Sequence, residues 1–164
     1  MKNIILCGFM GSGKTVVGRE LAKMMGCRFT DTDELIEREQ GIAVKAIFAA
    51  YGEAHFRALE RDVCARLGTT KNSVIATGGG TLTVPENATA IKKSGGKIVF
   101  LDASFATICE RIGSNASRPL FQDREQAHAL YLARRETYLN TADYVIDGDM
   151  SARKTAMMIA DIFK

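Results

Sequence analysis

Two hydrophobic rhythms alternate along this chain. Short runs at Asn3-Ile4-Ile5-Leu6-Cys7, Ser73-Val74-Ile75-Ala76-Thr77, Lys97-Ile98-Val99-Phe100-Leu101 and Tyr144-Val145-Ile146 have the length and β-branched content of strands buried on both faces. Arg28-Phe29-Thr30 is a shorter fifth strand. Between these runs the apolar spacing changes to three and four. Val16, Val17, Leu21, Met24 and Met25 predict a helix over 16–25, with Gly26 where a C-cap belongs. Residues 33–67 read as helix in pieces broken at Gly41 and Gly52, with apolar positions at Leu35-Ile36, then Val44-Ile47-Phe48, then Phe56-Leu59-Val63-Leu67. Pro85 opens a helix that runs toward Gly95-Gly96, and further helices cover 104–112, 125–139 and 152–163. Residues 113–123 break both rhythms with Gly, Ser, Asn and Pro and read as a mobile loop.

Strands alternating with helices predict an α/β fold, a parallel sheet covered on both faces. Such sheets bind ligands beyond the carboxyl ends of their strands. A length of 164 residues suits a single domain with a real core. The net charge of +3 is too small to argue for nucleic acid or a membrane surface, and it suits anionic small-molecule ligands. Cys7, Cys27, Cys64 and Cys109 are scattered, without metal-ligand spacing, and read as reduced thiols of a cytoplasmic protein. No apolar run approaches the ~18 residues of a membrane span, and a strand rather than a leader is expected at the amino end. The Met pairs at 24–25 and 157–158 read as core packing, and His55 and His128 as structural or surface residues.

The sharpest chemical signal is Gly8-Phe9-Met10-Gly11-Ser12-Gly13-Lys14-Thr15, a G-x-x-x-x-G-K-[ST] phosphate-binding loop between a strand and a helix. Gly11, Ser12, Gly13, Lys14, Thr15 and Val16 are the expected nucleotide-binding residues. Backbone N–H groups and the helix dipole meet phosphate oxygens, Lys14 adds a point charge, and the Thr15 hydroxyl suits Mg²⁺. The alternative is a plain glycine turn between strand and helix.

Three further clusters fall just after strands or on the following helices. Asp31 and Asp33 project from one side if strand geometry persists, so that one serves a Mg²⁺ shell and the other accepts a substrate proton. Asp31 with Glu34 equally makes a helix N-cap and capping box. Gly78-Gly79-Gly80 is either a loose loop or a close approach of backbone to a ligand. Arg57, Arg111, Arg118, Arg134 and Arg135 are each ordinary helix or loop arginines when taken singly. Together they offer cations for a transferred phosphoryl group and planar forks for a carboxylate. The phosphate loop, the aspartate pair and the glycine triplet are expected to meet at one edge of the sheet.

At this point the chain resembles the shikimate kinase family. The resemblance rests on the phosphate loop with Val17-Gly18-Arg19, Asp31-Thr32-Asp33, Gly52-Glu53 with Phe56-Arg57, Ile75-Ala76-Thr77-Gly78-Gly79-Gly80, Arg118-Pro119-Leu120, and Arg134 four before Tyr138. It implies a three-layer P-loop NTPase fold like that of nucleoside monophosphate kinases, with a five-stranded parallel sheet in order 2-3-1-4-5. It implies one kinase domain over 1–164, with a substrate-binding segment at 33–60 and a lid at 113–123. The implied reaction is ATP-dependent, Mg²⁺-assisted phosphorylation of the 3-hydroxyl of shikimate by a cytoplasmic monomer that needs no nucleic acid or membrane. Lys14, Asp33 and Arg118 are the implied catalytic residues. Arg111, Arg118 and Arg153 join the loop in binding ATP. Asp33, Arg57, Gly78, Gly79 and Arg134 bind shikimate, and Thr15 holds the metal with Asp31 acting through water. The four-residue spacing to Tyr138 selects Arg134 over Arg135.

Other small-molecule kinases on this scaffold, for gluconate or a nucleoside monophosphate, are rivals, as is a nucleotide-binding protein without catalysis. A GTPase switch is disfavoured because no Asp has Gly three residues on and no N-K-x-D occurs.

Overall fold

The structure, a computed structural model, describes residues 1–113 and 123–164. Five parallel strands lie in the order β2-β3-β1-β4-β5. They are β1 (Ile4–Cys7), β2 (Arg28–Asp31), β3 (Ser73–Ala76), β4 (Lys97–Asp102) and β5 (Tyr144–Asp147). The expected strand order is therefore the observed one. β1 is central, with Ile5 opposite Ile75 of β3 on one side and Ile98 of β4 on the other.

Among the described residues eight α-helices surround the sheet: α1 (Lys14–Met25), α2 (Thr32–Gln40), α3 (Val44–Tyr51), α4 (Glu53–Leu67), α5 (Pro85–Ile91), α6 (Phe105–Ile112), α7 (Arg124–Thr141) and α8 (Ala152–Ile162). Because side chains alternate along a strand, β1 feeds two cores. Ile4 and Leu6 pack with Val17 and Leu21 of α1 and Ala156 and Ile159 of α8. Ile5 and Cys7 face the opposite layer, with Cys64 of α4, Ile91 of α5 and Tyr138 of α7. A smaller core holds α2, α3 and α4 together through Ile36, Ile47, Phe56 and Val63.

Several sequence expectations shift. α1 begins at Lys14 rather than Val16, because Gly13 is already its left-handed N-cap. α5 stops at Ile91, short of the glycines at 95–96. Met24, Met157 and Met158 are exposed rather than in the core, whereas Met25 packs against it. The four cysteines are free, and three of them are buried. Strand geometry ends at Asp31, so Asp31 and Asp33 do not share a strand face: α2 starts at Thr32, and Asp33 stands in its first turn.

Candidate active site

The carboxyl ends of β1, β2 and β3 open into a cleft of about 510 Å³. On the β1 side, Gly11 and Gly13 take φ of +81° and +93°, values that other residues rarely adopt. They turn the backbone into the start of α1, where unbonded N–H groups and the helix dipole favour an anion. Lys14 folds back over this cradle, its Nζ donating to the carbonyls of Gly8 (2.6 Å) and Phe9 (3.2 Å). Burial pulls the Lys14 ammonium down to about 8, against the opposing pull of Cys7, Asp33 and Asp31. The Cys7 thiol beneath it is pushed up to about 12 by its own burial.

The Asp31-Thr32-Asp33 corner divides its work. Asp31 Oδ2 accepts from Thr15 Oγ1 at 2.8 Å, while its Oδ1 caps α2 through Glu34 N at 3.1 Å. Asp31 is thus the helix cap that one reading of the sequence offered, and its second oxygen meets the Thr15 hydroxyl. Only half of the capping box forms, because the Glu34 carboxylate pairs with Arg19 instead. The buried Thr32 accepts the Gly78 N–H at 3.0 Å. Asp33 projects into the cleft, and its Oδ1 is buried without a hydrogen bond among the described residues. Burial, then the neighbouring Asp31 and Glu60 carboxylates, push Asp33 up to about 6.

The glycine triplet is a site of close approach, not a loose loop. A Cβ added at Gly78 would stand 2.6 Å from Asp33 Oδ1, one at Gly79 3.1 Å from Arg134 Nη1, and one at Gly80 2.8 Å from Arg57 Nη1. Three glycines thus bring three expected site residues onto one strip of backbone. Arg57 is aimed by Glu60, whose buried carboxylate lies 2.5 Å from Arg57 Nη1 and accepts from Thr81 Oγ1 at 2.5 Å. Burial alone would lower the Arg57 guanidinium, but the Glu60 and Glu53 carboxylates hold it above its ordinary value. Val44, Phe48 and Phe56 add an apolar wall, the two rings 4.8 Å apart.

Arg111 does not sit at this cleft's acceptor end. Its Nη1 donates to the carbonyls of Gly11 (3.3 Å) and Ser12 (3.2 Å), and its Nη2 to those of Gly148 (2.8 Å) and Met150 (3.2 Å). It thereby borders a second hollow of about 280 Å³ behind the loop, which Val16, Ala152 and Thr155 also line. Arg153 is exposed on the first turn of α8 and lines neither hollow. Arg118 lies outside the described residues, as does most of the expected lid, residues 114–122. Arg135 turns away from the cleft to a bidentate pair with Asp102 at 2.9 and 2.8 Å. Sequence reasoning missed Glu60, Thr32 and the Phe48 wall. The only available signal for Glu60 was its place one turn after Arg57.

A family model described as shikimate kinase matches residues 10–163. The shikimate kinase of Moorella thermoacetica is 47% identical over 148 residues, spanning 90% of this chain and 85% of that protein. That of Helicobacter hepaticus is 41% identical over 164 residues, spanning 98% and 95%. Among solved structures, the shikimate kinase of Acinetobacter baumannii in complex with shikimate superposes with a TM-score of 0.91 at 35% identity, covering 99% of this chain and 93% of that one. A gluconokinase from Sinorhizobium meliloti, at TM-score 0.60 and 17% identity, shares the fold alone. The match runs across nearly the whole chain in sequence and in structure, and on that ground the chain belongs to the shikimate kinase family.

Proposed function

We infer that this chain transfers the γ-phosphoryl group of ATP to the 3-hydroxyl of shikimate, giving shikimate 3-phosphate and ADP on the route to aromatic amino acids. The observation that carries the residue assignments is the convergence of Asp33, Arg134 and Arg57 on Gly78, Gly79 and Gly80, next to the phosphate loop.

In this reading the carboxylate of shikimate lies between the guanidinium groups of Arg57 and Arg134, whose planar forks match it. The Gly79 N–H donates to the ring's hydroxyls, and Phe48 and Phe56 cover its apolar side. Asp33 orients the 3-hydroxyl and takes its proton, and a carboxyl near 6 is well matched to that task at neutral pH. The ATP phosphates occupy the loop from Gly11 to Val16. Lys14 leaves the carbonyls of Gly8 and Phe9 to meet them, and the nucleoside extends toward Arg111 and the hollow beside Ala152. Arg118, in the 113–123 stretch, supplies further positive charge on the phosphates as the lid arginine. Exclusion of water by that stretch and by residues 33–60 keeps the phosphoryl group for shikimate.

Mg²⁺ fits the donor set. The Thr15 hydroxyl and Asp31 carboxylate are hard oxygen donors 2.8 Å apart at the phosphate end of the cleft; Thr15 would hold the ion directly and Asp31 would hold it through water. Among the described residues no cluster of three or more acidic, His or Cys side chains could hold a metal alone, so phosphate oxygens complete the set. The bound ion supplies neutralisation of charge on the β- and γ-phosphate oxygens.

No helix among the described residues is long and apolar enough to cross a membrane, in keeping with a cytoplasmic enzyme. The direct test is ADP release from ATP with shikimate, gluconate, a nucleoside monophosphate or no acceptor. We expect release to depend on shikimate; equal turnover with gluconate, or with water alone, would overturn the reading.

A further inference from the structure

The hydrogen bonds of the glycine triplet are lopsided. All three of its carbonyls are taken: Gly78 O by Thr81 N at 3.2 Å, Gly80 O by Thr83 N at 3.3 Å and Thr83 Oγ1 at 2.6 Å, and Gly79 O by the Tyr138 hydroxyl. Among the described residues, the Gly78 N–H alone of the three has a partner, Thr32. The N–H groups of Gly79 and Gly80 donate to nothing among the described residues. The strip therefore holds two N–H groups without a partner among the described residues, while each of its carbonyls is already engaged.

Tyr138 differs from the other partners in its origin. Thr81 and Thr83 lie on the turn that follows the triplet, so their bonds come with the local chain path. Tyr138 comes from α7, 59 residues away, one turn after Arg134, and its ring is fixed in the core 5.2 Å from Phe100. One helix face thus holds Gly79 by its carbonyl and brings Arg134 beside it. A planar trans peptide points its C=O and N–H in opposite directions, so fixing the Gly79 carbonyl also fixes the Gly80 N–H. Without the hydroxyl, the peptide would be free to turn and present a carbonyl to the substrate.

We propose that Tyr138 is a positioning residue for the phosphoryl acceptor: its hydroxyl holds the Gly79 carbonyl back and so fixes the Gly79–Gly80 peptide with the Gly80 N–H free for the hydroxyls of shikimate. This rests on the reading that shikimate binds along the strip. It assigns Tyr138 a role beyond packing, although it touches no reacting atom.

The structure contains its own control. Tyr131, on the same helix and nearly as buried, donates to the carbonyl of Ala103 at 2.8 Å, away from the triplet. Tyr131→Phe and Tyr138→Phe each delete one buried hydroxyl-to-carbonyl bond and keep the ring, so both should fold. We expect Tyr138→Phe to raise the KM for shikimate by about tenfold or more, with the KM for ATP within about twofold of wild type, as loss of an oriented buried bond predicts. Tyr131→Phe should leave both constants within about twofold. Equal effects of the two variants, or a Tyr138→Phe effect shared equally by both substrates, would overturn the proposal. Wild-type turnover of shikimate in the same assay tests the underlying reading separately, so the two failures can be told apart.

Discussion

At Asp33 a carboxylate oxygen is buried against Gly78 with no donor bonded to it among the described residues, and the carboxylates of Asp31 and Glu60 add repulsion. The group ionises near 6 in the folded chain against an ordinary 3.8. Well below 3.8 the folded and unfolded carboxyls are both protonated and Asp33 carries no penalty. From about pH 4 to about 6 the unfolded chain gives up the proton that the folded chain still holds, so stability is lost, by at most about 3 kcal/mol, and levels off above that. In buffer free of nucleotide and magnesium, Asp33→Asn is therefore expected to raise Tm by several degrees at pH 8 and hardly at pH 4, while cutting turnover at least about a hundredfold. An equal gain in Tm at both pH values would refute the titration account. Function at this residue was only half legible in the sequence. Two acids two apart signal either a cap or a catalytic pair, and Asp31 proves to be a cap that also holds Thr15.

On α7, neighbouring arginines have opposite fates because a helix turns about 100° per residue. Arg134 reaches Gly79, and Arg135 pairs with Asp102 at the end of β4. If Arg134 is one side of the proposed carboxylate clamp, Arg134→Ala should raise the KM for shikimate at least about thirtyfold, since removing one partner of a hydrogen-bonded charge pair costs about 2–5 kcal/mol. Arg135→Ala should leave that constant within about twofold and lower Tm by only a few degrees, because its ion pair is partly solvated. Steady-state kinetics on the two variants separates them, and the opposite ranking would contradict the assignment. The spacing to Tyr138 pointed to Arg134, and of the two arginines it is Arg134 that lines the cleft. The role of Glu60 on α4 was not legible: its burial depends on Thr81, 21 residues onward, and apolar periodicity says nothing about which charged side chain a distant turn will cover.

Over the whole molecule, the convergence of loop, aspartates and glycines was legible because a parallel sheet exposes all its strand-to-helix corners at one end. The path of Arg111 was not. Its fork ties the carbonyls of Gly11 and Ser12 to those of Gly148 and Met150, segments more than a hundred residues apart that meet only because β4 lies between β1 and β5. Arg111→Lys keeps the charge but loses the fork. It should raise the KM for ATP about fivefold or more and speed amide exchange in residues 8–13 and 148–150 together. Faster exchange in only one of the two segments would show that the strut does not couple them.

The central place of β1 also bears on how the chain is made. β1 ends at Cys7, but its partner β4 begins only at Lys97, so some ninety residues of synthesis separate the strand from its second neighbour. At roughly 5–20 residues per second that is about 5–20 seconds on the ribosome. Through that interval Ile4, Ile5 and Leu6, wholly enclosed in the finished protein, present an apolar ribbon with an unpaired edge to whatever lies nearby. The strand that carries the phosphate loop is thus open to unwanted strand pairing for that interval, and slow translation lengthens it.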